Sequence, residues 1–98
     1  MNDGCSNSGK VLLTKNSLEE MLYKHIEQSS DPGNYYGLGV AMHKYADRFL
    51  YGHKGNYHPY NSSVFFDQKT SCGIVTMFNS PAEDLRLAIV EMIIDMLE

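Results

Sequence analysis

The sequence has no tryptophan, three prolines, two cysteines, and eight basic residues against twelve acidic ones. Each scarcity excludes something. At a formal charge of −4, with its Lys and Arg scattered, the chain lacks the clustered positive charge that phosphate contacts need, so no nucleic-acid partner is expected. Cys5 and Cys72 are far apart in sequence and fit no C-x-x-C or zinc spacing; two separate thiols are expected. No stretch reaches the roughly 18 apolar residues of a membrane span. The opening "MNDGCSNSG" has neither the basic nor the apolar region of a signal peptide. Repeats at solenoid periods and low-complexity tracts are also missing.

What remains is ordinary globular material. A chain of 98 residues makes one domain, 1–98, and buries only about 60 to 65% of the surface its unfolded form exposes. Its core must be thin. Hydrophobic residues at 43% and charged residues at 20% sit near globular averages, which sets aside disordered and fibrous classes.

Residues 1–12 read as a turn-rich start. Leu18, Met21, Leu22 and Ile26 then recur at helical spacing, and Asn16 with Glu19 has the form of a capping box. "SSDPG" is expected to end this helix, because proline cannot continue it and glycine supports a turn. From Tyr35 the aromatic and apolar content rises, with a polar break at Lys44 to Asp47, predicting two strands and a turn. Ser63 to Phe66 and Gly73 to Phe78, joined by "DQKTS", predict two more. Ser80 as N-cap, Pro81 at the first helical position and Glu83 three residues after the cap predict a C-terminal helix. Its main apolar stripe is Leu85, Ala88, Ile89, Met92, Ile93 and Met96. Leu87, Val90, Ile94 and Leu97 widen it, and Glu91, Asp95 and Glu98 form a narrow polar strip. The expected fold is α+β: an antiparallel sheet of three to four strands, a C-terminal helix on one face, and an N-terminal helix. So apolar a helix calls for more than one packing surface.

The chemistry-bearing stretch is "YGHKGNYHPYNSSVFF", residues 51 to 66. A zinc site would use His53 and His58, with His43, but four ligands at fixed spacing are not there, so no metal is expected. "GHKG" is not a phosphate loop, since G-x-x-x-x-G-K-[ST] and a following helix are both missing. No serine sits in G-x-S-x-G or has a lysine three residues on. Tyr60, Asn61 and Ser62 form a Y-x-S triplet without a partner nucleophile; a hairpin tyrosine is the simpler reading.

The order "YYGLGV", "GHKG", "NSSVFFDQKTSCGIVTMFNS", then a terminal helix resembles the C-terminal part of the serine β-lactamase and penicillin-binding protein superfamily, in its class C and D-alanyl-D-alanine carboxypeptidase-like branch. That branch reads Y-G-L-G-W, G-H-x-G, a serine-containing strand closing with "FDP", a strand ending in "TN", and a final helix. Here "FDQ" stands for "FDP" and "MFNS" for the "TN" stretch, while "GKVLLTKNSLEEML" is similar to an earlier family helix. The resemblance implies a partial β-lactamase-like fold, no cofactor, and a substrate-binding strand edge at His53, Lys54 and Gly55, with the backbone N–H of Asn56 as half of an oxyanion hole. The substrates implied for a parent protein are β-lactams, D-alanyl peptides or esters. Two departures stand out: Lys54 replaces a small or hydroxyl residue, and "NYHPYN" replaces a glycine-rich turn. The family's nucleophile, the Ser of S-x-x-K, and its Y-x-N tyrosine lie N-terminal to the matched region, so no catalytic residue is expected here and the chain alone should be inert. The alternative is a non-catalytic α+β module that binds a protein partner or forms a homodimer through the sheet edge or the C-terminal helix.

Overall fold

The structure, a computed structural model, describes residues 3–98. It is α+β. The elements run α1 (Lys15–Met21), β1 (Ile26–Glu27), β2 (Tyr35–Tyr36), β3 (Ala41–Tyr45), β4 (Arg48–Tyr57), β5 (Tyr60–Asp67), β6 (Cys72–Phe78) and α2 (Glu83–Leu97). The strands form one antiparallel meander in chain order, β1 to β6. Six strands replace the expected three to four because β1 and β2 are two residues each, too short to show a period of two.

Local chemistry explains the joints. Tyr45 pairs with Arg48 across Ala46 and Asp47, and Ala46 has φ 55. A positive φ at the first central residue of a two-residue hairpin is the type II′ geometry that glycine normally supplies. Ala46→Gly is therefore expected to stabilise the domain by about 0.5 to 1 kcal/mol, the relief of a left-handed alanine less glycine's extra freedom in the unfolded chain. A shift of the urea midpoint at unchanged slope would measure it. Tyr57 pairs with Tyr60 across His58 and a cis Pro59, the arrangement of a type VI turn.

Three sequence readings of the helices are corrected. Thr14, not Asn16, caps α1, its Oγ1 accepting from the Ser17 N–H at 3.2 Å. The helix stops at Met21, well before "SSDPG", and Ile26 belongs to β1. At α2 the N-cap is Ala82 rather than Ser80, without a side-chain cap; the Ala82 N–H instead donates to Asn61 Oδ1 at 2.5 Å. A long-range partner has taken the role that a local one was expected to play.

The helix also turns a different face to the sheet. Val90 and Ile94 pack with Leu50 and Phe65 as the core, with Tyr45, Ile74 and Leu87 around them. Arg86, Val90 and Ile94, spaced by four, are the buried line, whereas Leu85, Met92 and Met96 of the expected stripe are 52%, 56% and 78% exposed. The cause lies in the polar strip. Glu91 Oε1 meets His43 Nε2 at 2.9 Å, Asp95 accepts from the Tyr45 hydroxyl, and Glu98 pairs with Arg48. These contacts turn the strip towards β3 and β4. The hydrogen bond to Asp95 holds the Tyr45 phenol protonated, with its pKa pushed up to about 12.

On the other face, Leu18 of α1 and Leu22, its C-cap residue, are buried beside Tyr51, whose neighbour Leu50 points to α2. Both cysteines are thiols, and no helix among the described residues is long and apolar enough to cross a membrane.

Candidate functional site

Register alone creates a free edge. β3 pairs with β4 from Tyr45↔Arg48 to Ala41↔Gly52 and stops, while β4 continues to Tyr57 against β5. Opposed residues in an antiparallel ladder alternate between exchanging both backbone hydrogen bonds and exchanging none. Since Tyr57 and Tyr60 close a two-residue hairpin, the exchanging pairs fall on Tyr57, Gly55 and His53. The backbone N–H and C=O of Lys54 and Asn56 therefore turn away from β5, towards the side that β3 has vacated.

Two glycines shape this edge. A Cβ on Gly52 would lie 1.8 Å from the Val64 carbonyl oxygen, so only glycine lets β4 and β5 approach as they do. A Cβ on Gly55 would meet Ser62 Oγ at 2.5 Å, and its absence leaves that hydroxyl open. Beside it lies a shallow hollow of about 310 Å3, lined by His53, Gly55, Ser62, Val64, Val75 and Met77 among others.

His53 is held at both ring nitrogens. Nδ1 lies 2.7 Å from the Lys54 carbonyl oxygen and Nε2 lies 3.2 Å from the Tyr36 hydroxyl. A carbonyl only accepts, so Nδ1 carries the hydrogen and Nε2 of the neutral ring accepts from Tyr36. The two rings meet edge to face at 6.2 Å between centroids.

Behind the edge lies a polar network that the sequence did not disclose. Arg86 of α2 is 3% exposed. Its Nη1 donates to Asn56 Oδ1 at 2.7 Å, the Gly55 carbonyl at 3.0 Å and the Ser62 carbonyl at 3.2 Å. Asn56 Oδ1 also accepts from Asn61 Nδ2 at 2.9 Å. Arg86 Nε is buried without a partner in the structure. A signal was available: Arg86 falls in phase with Val90 and Ile94, the line that α2 buries. Truncating it should cost about 2 to 4 kcal/mol, because two carbonyls and an amide oxygen lose a charged donor; urea unfolding of Arg86→Ala would check this.

His53, Lys54, Gly55 and Asn56 thus share one strand, with Lys54 exposed and the Asn56 side chain tied inward. The other sequence candidates lie apart from it. His43 faces α2 through Glu91, His58 is in the hairpin turn, and among the described residues no three of His, Cys, Asp and Glu gather as metal ligands. Of the Tyr60-Asn61-Ser62 triplet, Tyr60 is exposed and Asn61 serves the network. No protein-family model, characterised protein or solved structure matches the chain.

Proposed function

We propose that the chain forms the substrate-cleft edge of an acyl-transferring serine hydrolase of the β-lactamase and penicillin-binding type, acting on β-lactams, D-alanyl peptides or small esters. The observation that carries this reading is that β4 outruns β3, which leaves the outward N–H groups of Lys54 and Asn56 beside the H-K-G sequence. An extended ligand can add to such an edge as a strand would. Its acyl carbonyl then accepts from Asn56 while Lys54 meets an acidic end group. A donor so placed stabilises the negative charge that grows on the carbonyl oxygen during acyl transfer. The 98 residues hold no S-x-x-K, so the edge binds and orients without supplying the nucleophile. Incubation with a fluorescent penicillin should leave the chain unlabelled. A covalent adduct would contradict this division of labour.

A second reading, self-association, has its own observation. β6 is an edge strand without a charged residue or a proline, and its Val75 and Met77 are 61% and 81% exposed. Edges lacking those features recruit further strands. Sedimentation equilibrium distinguishes the readings: a dimer dispersed by Val75→Lys supports the interaction module, and a monomer at all concentrations removes it.

A further inference from the structure

Tyr36 and His53 come from strands that are not neighbours, yet their side chains meet. The row Tyr36, Ala41, Gly52 runs directly across β2, β3 and β4; directly opposed residues share a face of a sheet and successive ones alternate, so His53, next after Gly52, starts from the opposite face and the two side chains meet around the end of β3. Ala41, the next residue of that row, is too small to bar the Tyr36 phenol. It arrives just where β3 ends and the edge of β4 begins.

We propose that Tyr36 and His53 form a proton-relay couple, presenting the Tyr36 hydroxyl, backed by the His53 imidazole, to a hydroxyl compound bound at the open edge of β4. The geometry suits a relay because the contact survives a change of protonation. With the ring neutral, Tyr36 donates to Nε2; with the ring charged, Nε2–H donates to the Tyr36 oxygen, and in both states Nδ1–H stays on the Lys54 carbonyl. A carbonyl behind Nδ1 is also what orients a base for proton transfer. His53 is exposed, Tyr36 is half-buried, and Lys54 is the charged neighbour on the strand. Among the described residues the ion pairs formed by histidine involve His25 and His43, not His53.

The step balances. The bound hydroxyl compound, water or an alcohol, loses its proton to the Tyr36 oxygen as the Tyr36 proton passes to Nε2. The imidazole becomes imidazolium and the deprotonated oxygen attacks an acyl carbon. Reversal of the two transfers returns the proton to the leaving group. The acyl partner rests on the function proposed above; the couple does not.

Long-range 1H–15N spectra of the full chain test the couple, and hydrolysis of p-nitrophenyl acetate tests the relay. In that reaction water's O–H and the ester C–O bond break as acetate and p-nitrophenolate form. The neutral His53 ring is expected to carry its hydrogen on Nδ1, with the Nε2 resonance moved by Tyr36→Phe. Tyr36→Phe and His53→Gln should each lower the ester rate at least about tenfold, as loss of a general base does, while His58→Gln leaves it unchanged. Variants are compared only where their backbone amide spectra remain native-like, and His53→Gln covers the case in which Tyr36→Phe misfolds. A hydrogen on Nε2, or an Nε2 resonance indifferent to Tyr36→Phe, would overturn the couple. Unchanged ester rates in both variants would overturn the relay. Failure of a D-alanyl peptide to bind would count against the proposed substrate class and leave both findings standing.

Discussion

Gly52→Ala is expected to cost on the order of 3 kcal/mol or more, enough to unfold much of the population of so small a domain. The added Cβ would lie 1.8 Å from the Val64 carbonyl oxygen and 2.8 Å from Phe65 Cα. Both are backbone atoms of the paired strand, so no rotamer change relieves the clash and β4 must part from β5. Parting those strands disturbs Leu50 and Phe65, half of the core cluster. Urea unfolding followed by circular dichroism would measure the loss. Gly73→Ala is the matched comparison: its Cβ would meet Phe66 ring atoms at 3.0 Å, and a partly exposed ring can swing away. A loss at Gly52 no larger than at Gly73 would refute the close-approach account. At Gly55 the obstacle is the Ser62 hydroxyl, which can rotate, so Gly55→Ala should spare stability and instead crowd the edge.

Asp67→Ala is expected to destabilise the domain by about 3 to 5 kcal/mol, the range found when one partner of a buried pair is removed. The Asp67 side chain is wholly buried. It accepts from Arg48 Nε at 2.7 Å and Nη2 at 3.0 Å, a two-point contact, and from the Thr70 hydroxyl at 2.8 Å. Removing the carboxylate leaves the Arg48 guanidinium with its more exposed partners Asp47 and Glu98. The same group sets an acid limit. Hydrogen bonding from Arg48, with a smaller part from Thr70 and the Lys69 N–H, lowers the Asp67 pKa from 3.8 to about 2. A carboxylate with a depressed folded-state pKa contributes stability above its unfolded value and loses it as the pH falls through the folded one. Wild-type stability should therefore drop between about pH 4 and pH 2. In Asp67→Ala that drop should shrink, and an unchanged acid profile would show that another group governs it.

The resemblance named four consecutive residues, and the fold puts all four on one strand whose geometry depends on parts that the sequence hid. That "GHKG" lies on a strand was legible from the aromatic and apolar content just before it, although β4 runs on to Tyr57. That β3 would stop opposite Gly52 was not, since Gly37 and Gly39 mark a turn without fixing its register. Tyr36 and His53 stand seventeen residues apart, and only the pairing of Tyr36 with Ala41, and of Ala41 with Gly52, brings them together. The reading of α2 failed in an instructive way. Ten of its positions are apolar in pattern, so hydrophobicity could not choose a face, and the choice fell to His43, Tyr45 and Arg48 reaching from the sheet. Leu85, Met92 and Met96 stay outside for that reason. The Ser80 cap was plausible by local rules and lost to Asn61, which sits nineteen residues upstream in sequence and is bound in the Arg86 network.

The edge itself is tested most directly by following the backbone amides of 15N-labelled chain while adding N-acetyl-D-alanyl-D-alanine. Saturable shifts concentrated at Lys54 and Asn56, weakened by Gly55→Ala, are the expected outcome. Shifts confined to the β6 edge, or none at Lys54 and Asn56 up to the solubility of the peptide, would contradict the assignment of β4 as the substrate edge.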